Sequence, residues 1–483
     1  MLDRRAFLKA AGIAALYPTA CITTRQRETG EWVNDIHSQL NQTHVAGIVK
    51  PQSVEELRSI VSKGSRRPVC IAGGRHAMGG QQFASDATMI DMTRMNKVLA
   101  FDQQNGVVDI ESGIEWPELV HGLLDSRWAI RQKQTGADRL TLGGSLAANA
   151  HGRGLKFKPI VGDVESITLI DAGGTLVECS RTVNRELFSL AIGGYGLFGV
   201  IASIRLRLAP RQKVQRVVEV QQVEHVKEAF DRRIAEGFLY GDFQFGIDPK
   251  SDKFLHDGVF SCYRPVSDDT PMPSAQAELH DDDWRKLLLL AHVDKSQAYE
   301  RYVSYYMGTS GQVYWSDEHQ LSIYPNDYHR AIDATLHSVP STEMITEIYV
   351  PRERLADFMA EAREDFRRND VNVVYGTVRL IERDDDTFLP WAKQSYACVI
   401  FNLHVEHSDA AIKRAADAFR RLIDMASARS GSYFLTYHRW ARRDQVEACY
   451  PQFAEFLRKK RHLDPHERFQ SEWYRHYKAM FNA

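Results

Sequence analysis

Three glycine-rich segments lie beside strand-like apolar runs in the first half of the chain. They are residues 70–82 (CIAGGRHAMGGQQ), 141–154 (TLGGSLAANAHGRG) and 193–201 (GGYGLFGVI). Glycine lets a ligand approach the main chain closely, and successive backbone N–H groups in such a segment form a nest for an anion. A single segment of this kind is often only a turn. Three in one region predict a flat or extended ligand, such as a dinucleotide, that lies against the backbone.

The two commonest phosphate-binding loops are absent, which narrows the fold. No G-x-G-x-x-G segment opens a helix with an acidic residue about 20 positions later, so a Rossmann dinucleotide site is not predicted. No G-x-x-x-x-G-K-[ST] loop occurs either. The ligand is therefore expected to bind to a different α+β fold.

Length, charge and cysteine spacing exclude several function classes. The chain has 483 residues, with 61 Lys and Arg against 63 Asp and Glu, so nucleic acid is not an expected partner. Hydrophobic residues make up 43%, enough for a sizeable core, and no apolar run is long enough to predict a transmembrane span. The six cysteines include no C-x-x-C pair, and His404 and His407 would lie on opposite faces of a strand. No metal site is expected.

The predicted secondary structure changes character twice along the chain. Residues 26–210 form an α+β unit with glycine turns, and residues 211–430 form a second α+β domain in which glycine is rarer. The second domain contains aromatic strand-like stretches, GDFQFGI (241–247) and QVYWSDEHQLSIY (312–324), and then long helical patterns. Residues 431–483 are predicted to be helical and then irregular.

The first 25 residues are a candidate export signal. The string RRAFLK (4–9) precedes a short, weakly apolar run, which is similar to a twin-arginine signal. Such signals carry folded proteins, often with a cofactor already bound, so the chain is expected in the periplasm or outside the cell. Cys21 is a candidate site for a lipid anchor. The alternative is a disordered basic start.

From about residue 40 to residue 210, the sequence resembles the PCMH-type FAD-binding domain of the vanillyl-alcohol oxidase superfamily. The matches are ordered: KPQSVEELRSIV, VCIAGGRHAMGG, TMIDMTRMNKVLAFD, VVDIESG, GADRLTLGGSLAANAHGRG, GDVESITLIDAGGTLVECS and LFSLAIGGYGLFGVIASIRLRLAP. The resemblance implies a two-part FAD-binding domain over 26–210. It also implies a substrate (cap) domain over 211–430, with an antiparallel sheet flanked by helices, and a C-terminal segment, 431–483, that returns to the FAD domain.

The chain further resembles the branch that contains sugar-lactone and alditol oxidases, in which a histidine of the first glycine loop carries FAD through an 8α-histidyl bond. His76 falls on that position, and a neutral imidazole is a suitable nucleophile near pH 7. The alternative is a histidine beside the flavin without a bond. The resemblance implies FAD contacts from Ile71, Ala72, Gly73, Gly74, Arg75, His76, Ala77, Gly143, Gly144, Ser145, Asn149, His151, Gly152 and Ile201. Gly143 also matches the position that controls access of oxygen to the flavin.

The second domain contains a segment, VYGTVRLIERDDDTFLP (374–390), that is similar to an aldonolactone oxidase segment with a Glu-x-Arg pair. Arg379 holds the arginine position, where it would stabilise negative charge on the flavin or the substrate; its alternative is a surface ion pair. Thr377 replaces the glutamate and can hydrogen-bond, but it is a poor base. Tyr437 and His438 are candidate bases with a core role as the alternative, and Lys393 is a further candidate.

The resemblance predicts oxidation of an alcohol carbon in a sugar, polyol or sugar-lactone-like substrate by hydride transfer to FAD. Oxygen, a quinone or a cytochrome would accept the electrons. Two other interpretations stay open. One is an exported flavoprotein without covalent FAD that transfers electrons, and the other is a reductase or epimerase-type flavoenzyme.

Overall fold

A computed structural model describes residues 30–62, 67–322, 325 and 328–482. The candidate export signal over 1–25, with Cys21, lies outside the described residues. In the part of the chain that is described, no helix combines the length and the apolar character needed to cross a membrane. The expected mixture of helices and sheets is confirmed.

The helices have the following bounds. They are α1 Val54–Ser62, α2 Trp116–Leu123, α3 Leu142–Ala148, α4 Arg185–Ala191, α5 Val223–Ala235, α6 Asp281–Val293, α7 Lys295–Gly308, α8 Tyr328–Leu336, α9 Leu355–Arg368, α10 Asp409–Ser427, α11 Arg443–Cys449, α12 Phe453–Leu463 and α13 Glu472–Phe481.

The strands have the following bounds. They are β1 Glu31–Val33, β2 Thr43–Val45, β3 Gly47–Val49, β4 Val69–Ala72, β5 Thr88–Asp91, β6 Val98–Asp102, β7 Val107–Glu111, β8 Trp128–Ala129, β9 Val164–Ile170, β10 Leu176–Ser180, β11 Val200–Arg207, β12 Ala209–Pro210, β13 Lys213–Gln222, β14 Tyr240–Phe245, β15 Asp257–Pro265, β16 Val313–Trp315, β17 Ser341–Pro351, β18 Val373–Ile381, β19 Tyr396–Glu406 and β20 Ser432–Tyr433.

Two main sheets form the N-terminal half. Strands β3, β5 and β4 pair in parallel, whereas β10, β9, β11, β7 and β6 form an antiparallel sheet. Helix α1 begins where Ser53 Oγ accepts a hydrogen bond from the backbone N–H of Glu56 at 3.1 Å. Its apolar side chains Leu57 and Val61 are buried in one cluster with Val69 of β4. The helical spacing of these side chains therefore packs α1 against the parallel sheet.

An eight-stranded antiparallel sheet, in the order β16-β13-β15-β14-β18-β19-β17-β20, forms the second half. Residues paired across antiparallel strands share a face, and Phe243, Val378, Val399 and Ile348 are paired in a continuous row. Helices α5, α9 and α10 cover this apolar face. Their aromatic contacts are Phe230–Phe260, Phe366–Phe401 and Phe419–Tyr433, with ring centroids 4.8, 5.1 and 5.8 Å apart.

The opposite face of the same sheet carries polar side chains. Thr377 pairs with Ile400, which pairs with Glu347, and Arg379 pairs with Cys398. Thr377, Arg379 and Glu347 are all buried. The strict alternation along each strand therefore places the charged groups together, on the side that helices α5, α9 and α10 do not cover.

The C-terminal segment returns to the first glycine segment and its strand. The backbone N–H of Val69 donates to the carbonyl of Arg468, and that of Gln470 donates to the carbonyl of Val69, both at 2.8 Å. The fully buried indole of Trp473 packs on Tyr195, with ring centroids 4.9 Å apart. Tyr195 belongs to the third glycine segment, so the last helices join the N-terminal half.

The predicted strand over 312–324 is wrong beyond Trp315 in its described part. Strand β16 ends there, and residues 318–320 form a 3₁₀ turn. The side chain of Asp317 accepts the backbone N–H of Glu318 at 3.0 Å and pairs with Arg211 at 3.0 Å. This local capping bond competes with strand pairing, which the aromatic composition alone could not reveal.

We expect Trp473→Ala to destabilise the protein by about 3–5 kcal/mol, because it removes a large buried side chain and leaves a cavity. Trp32→Ala is the matched control, since Trp32 is 67% exposed, and it should cost less than about 1 kcal/mol. Urea unfolding monitored by circular dichroism measures both. Equal losses in the two variants would contradict the bridging role of Trp473.

Candidate functional site

All three glycine segments line one cavity. Its wall contains backbone and small side chains from each segment, which suits a flat or extended ligand that lies against the main chain. Of the residues expected to contact FAD, the cavity is lined by Ile71, Ala72, Gly73, Gly74, Arg75, His76, Ala77, Gly143, Gly144, Ser145 and Ile201. The C-terminal segment contributes Phe434, Thr436 and Tyr437 to the wall, and β17 contributes Ile345.

Two glycines allow the first segment to lie directly against the second. A Cβ atom on Gly73 would lie 2.1 Å from Oγ1 of Thr141, and one on Gly74 would lie 2.2 Å from the carbonyl oxygen of Arg139. No side chain fits at such distances. The glycines are therefore required by the close approach of two backbones, which form the narrow wall of the cavity.

His76 is the ionisable group at the centre of the first segment. Its Nδ1 lies 2.8 Å from Nε2 of His37, and its own Nε2 is buried without a hydrogen-bond partner among the described residues. Burial and the neighbouring His37 lower the pKa of His76 well below its usual value, although the backbone of Arg139 opposes the shift. The ring is therefore a neutral imidazole near pH 7, with a ring nitrogen left for a ligand. His37 was missed in the sequence because it lies 39 positions away.

Three other predicted FAD contacts lie behind the cavity wall, because the lining does not include Asn149, His151 or Gly152. Asn149 has a left-handed backbone (φ 50°) at the end of α3, and its Nδ2 donates to Oδ2 of Asp384 at 2.9 Å. His151 hydrogen-bonds to Glu347. These side chains tie the second glycine segment to the eight-stranded sheet.

Glu347 is the centre of a buried hydrogen-bond cluster. Its carboxylate accepts hydrogen bonds from Tyr437 Oη (3.0 Å), Tyr349 Oη (2.7 Å) and Cys398 Sγ (3.0 Å), as well as from His151. Burial by itself raises the pKa of a carboxyl, but His151, Cys398 and Tyr349 lower that of Glu347 to about 2. The candidate base Tyr437 thus lines the cavity while its hydroxyl is held by a buried anion.

The same cluster has the composition of a metal-ligand set. One ligand atom each from His151, Glu347 and Cys398 lies within 4.8 Å of the others, the single such group found among the described residues. In this structure the three groups satisfy one another through hydrogen bonds. We therefore interpret the cluster as structural: it holds the hydroxyl of Tyr437 and the His151 side chain of the second glycine segment in place.

Arg379 is buried in an unusual way. It is 6% exposed, its Nε has no hydrogen-bond partner, and its side chain makes no ion pair or hydrogen bond with any residue that the structure describes. Burying a guanidinium without a counter-charge is costly. The predicted alternative of a surface ion pair does not fit this burial. Arg379 and Thr377 are not among the described residues that line the cavity.

Sequence reasoning missed Asp242 and Gln244, which lie beside Thr377. Oδ2 of Asp242 accepts from Nε2 of Gln244 at 3.0 Å and lies 3.5 Å from Oγ1 of Thr377. Oδ1 of Asp242 and Oε1 of Gln244 are buried without hydrogen-bond partners. The alternating pattern of GDFQFGI, with apolar residues between them, signals that both polar side chains share a face.

Two candidate bases lie away from the cavity lining. His438 stacks on Trp440, with ring centroids 4.1 Å apart, and burial lowers its pKa to about 4. Lys393 lies in the loop before β19, where burial lowers its pKa beside Cys449. Gly143 does line the cavity, but a Cβ there would lie 2.8 Å from Cβ of Ser112, so packing already requires glycine.

Comparisons with known proteins agree with this geometry. Residues 45–180 match a family model described as an FAD binding domain. The chain is 24% identical to L-gulono-1,4-lactone dehydrogenase of Mycobacterium tuberculosis over 89% of its length and 95% of that relative. It is 29% identical to L-gulonolactone oxidase of Bos taurus over 38% of its length. It is also 29% identical to mitochondrial L-galactono-1,4-lactone dehydrogenase 2 of Oryza sativa subsp. japonica over 42% of its length.

The match spans only part of several relatives, namely 42% of the bovine oxidase and 36% of the rice dehydrogenase. The cavity thus belongs to an FAD-binding domain of the PCMH type, and the expectation of this domain is confirmed. The family match and the relatives named as lactone oxidases and dehydrogenases support the aldonolactone oxidase branch of the vanillyl-alcohol oxidase superfamily.

We expect Glu347→Gln to reduce stability at neutral pH by on the order of 3 kcal/mol, the equivalent of lowering the pKa from 4.5 to about 2. The stabilisation by Glu347 is present above pH 4.5 and is lost as the pH falls towards 2. Thermal unfolding of the wild type and the variant at pH 7.5 and at the lowest pH that keeps both folded measures the effect.

Glu343→Gln is the matched control, because burial raises the pKa of Glu343 to about 7, although Asn402 opposes the shift. Its contribution to stability is present below pH 4.5 and is lost as the pH rises through 7. Glu343→Gln should therefore stabilise the protein at pH 8 relative to pH 5. The same sign for both variants at pH 8 would contradict the two assigned environments.

Proposed function

We propose that this chain is an FAD-dependent oxidoreductase that oxidises an alcohol carbon of a sugar, polyol or sugar-lactone-like substrate, with FAD attached through His76. One observation carries the proposal. A buried, neutral His76 presents an unpartnered Nε2 in a cavity that three glycine segments surround. A group that leaves such an atom unpaired in the free protein is one that a ligand pairs.

The residues of the cavity fit FAD. The glycine backbones of the first and second segments would hold the extended dinucleotide, and His76 would attach it. When bound, FAD supplies the acceptor for a hydride from carbon. Arg379 would stabilise negative charge that develops on the cofactor or the substrate oxygen, because its Nε has no hydrogen-bond partner among the described residues.

The names of the relatives support the substrate class. They are an L-gulonolactone oxidase and dehydrogenases of L-gulono-1,4-lactone and L-galactono-1,4-lactone. These names describe polyhydroxylated rings. Such rings would hydrogen-bond to polar side chains such as Thr377, Asp242 and Gln244. Oxygen, a quinone or a cytochrome is the proposed electron acceptor, and twin-arginine export to the periplasm or beyond is the proposed route.

We expect the wild type to keep yellow, fluorescent flavin on a denaturing gel after acid treatment, and His76→Ala to lose it. The exposed His121 provides the control, since His121→Ala should retain the flavin. Release of flavin from all three proteins would favour the alternative, a non-covalent flavoprotein that acts in electron transfer or as a reductase or epimerase-type enzyme. Absence of flavin from the native wild type would overturn the proposal.

We expect Arg379→Ala to slow anaerobic reduction of the bound flavin by the best substrate about 100-fold or more, because it removes the unpaired cation. The panel would contain L-gulono-1,4-lactone, L-galactono-1,4-lactone and alditols, with stopped-flow absorbance as the measurement. Arg383→Ala, whose side chain is 65% exposed, should change the rate less than twofold. Reduction of the wild type by none of these compounds would contradict the substrate class.

A further inference from the structure

We propose that Asp242 accepts the proton of the substrate hydroxyl, opposite the guanidinium of Arg379. This inference rests on the proposed function and names the base that the sequence did not provide. Asp242 is 2% exposed and stands on β14, next to the strand that carries Thr377 and Arg379.

The two oxygens of the Asp242 carboxylate differ in their hydrogen bonding. Gln244 donates to Oδ2 at 3.0 Å, and Thr377 lies 3.5 Å from the same oxygen. Oδ1 accepts no hydrogen bond although it is buried, and its nearest cation, Nη1 of Arg153, lies 3.9 Å away. A carboxylate oxygen accepts hydrogen bonds, and leaving it unpaired when buried is costly. We therefore infer that a hydroxyl group of a bound substrate donates to Oδ1.

Arg379 is placed to act on the same hydroxyl-bearing carbon. Strands β14 and β18 are antiparallel with Phe243 opposite Val378, which sets Asp242 beside Arg379 on one face. The two opposite charges nevertheless form no ion pair, and neither Oδ1 of Asp242 nor Nε of Arg379 has a hydrogen-bond partner among the described residues. An adjacent carboxylate and guanidinium that do not pair directly are groups that a bound alcohol could bridge through its hydroxyl.

The strands that carry Asp242 and Arg379 contact the second glycine segment. The backbone N–H of Gly241 donates to the carbonyl of Arg153 at 2.9 Å, two positions after that segment's His151. Cys398 is paired with Arg379 across the strands, and its Sγ lies 3.6 Å from Nε2 of His151. The end of the segment whose earlier residues line the cavity therefore packs against these strands.

The surrounding polar atoms indicate a ligand with several neighbouring hydroxyl groups. Oε1 of Gln244, Nε of Arg153 and Oη of Tyr302 are also buried without partners. These unpaired atoms around Asp242 include both acceptors and donors. A polyhydroxylated substrate could pair with both kinds, because each hydroxyl group donates one hydrogen bond and accepts others. An apolar alcohol would leave these groups unpaired at a cost for each one.

The proposed step balances as follows. The O–H bond of the substrate breaks, and its proton moves to Oδ1 of Asp242. The C–H bond breaks, and its electron pair leaves with hydrogen as a hydride to the flavin that the proposed function supplies. A C=O bond forms, so the alcohol is oxidised and the flavin is reduced by two electrons. Arg379 stabilises the oxygen while the proton departs.

The test compares Asp242→Asn with the wild type for anaerobic flavin reduction and for equilibrium binding. The amide keeps an acceptor oxygen of the same size but is a far weaker base. We expect the reduction rate to fall at least 100-fold, as for loss of general-base catalysis. We expect the dissociation constant of the lactone product, measured by isothermal titration calorimetry, to change less than threefold. FAD content should stay unchanged.

Asp365→Asn is the control, because Asp365 is equally buried but lies on α9, across the sheet, where it pairs with Arg421 at 2.8 Å. In folded Asp365→Asn, the substrate should reduce the bound flavin at the wild-type rate. Asp242→Glu provides a second variant and should recover at least tenfold of the lost rate.

Several results would overturn the inference. A fall of less than tenfold in Asp242→Asn, or a large fall explained by a weaker dissociation constant, shows that Asp242 is not the base. A lack of recovery in Asp242→Glu together with intact folding also counts against it. If no substrate reduces the wild type, the proposed function fails and takes this inference with it. If the wild type is reduced and Asp242→Asn reacts equally fast, only the inference fails.

Discussion

The two-residue alternation of the eight-stranded sheet determines where the buried charged side chains Asp242, Glu347 and Arg379 lie. Phe243, Val378 and Ile348 face the helices, and the residues between them face the flavin-binding half. A shift of one residue in any strand would exchange these faces and bury carboxylates against α5, α9 and α10. The apolar face therefore fixes the register, and the register fixes the polar face. Hydrophobic packing on one face of the sheet thus determines where the polar and charged side chains lie on the other face.

The buried carboxylates on the polar face differ in how fully they are paired. Glu347 accepts four donors and is held as an anion, so it behaves as a structural charge. Glu343 accepts from Asn402, and its pKa is raised by burial to about 7. Asp242 accepts a hydrogen bond from Gln244 through Oδ2, whereas among the described residues Oδ1 has only the distant cation of Arg153, 3.9 Å away. Complete pairing stabilises a fold, whereas incomplete pairing leaves binding energy for a ligand, so these groups divide naturally into structural and reactive ones.

The sequence predicted the part of the site that is built from contiguous glycine segments. Gly73, Gly74 and His76 could be predicted because a close approach of the backbone requires glycine, and the glycines and the histidine stand together in one short segment. His37 and Asp242 were not found, because their roles depend on partners brought close by folding, 39 and 135 positions away. The pattern of GDFQFGI marks Asp242 as sharing a face with Gln244, but it does not say which strand lies beside it.

A residue that is adjacent in sequence to a cavity-lining residue need not line the cavity itself. Tyr437 and His438 are neighbours in the chain, yet Tyr437 lines the cavity while His438 stacks on Trp440. Both residues lie in the irregular backbone after β20, beyond a turn at residues 435 and 436, where no regular repeat fixes the side to which neighbouring side chains point. The FAD-binding domain itself could be predicted because many ordered motifs agreed, whereas the catalytic side depends on single residues in strands of common composition.

The return of the C-terminal segment has a consequence for how the protein is made. Strand β4 is completed by Arg468 and Gln470, and the first glycine loop is held by a hydrogen bond of 3.1 Å from Met78 to the carbonyl of Thr436. These partners are separated by more than 350 positions, and such contacts form late and slowly. The ribosome must therefore deliver nearly the whole chain before the dinucleotide cradle can close. Residues 45–180 match one family model, yet their strand β4 and first glycine segment are completed by residues that lie beyond position 430.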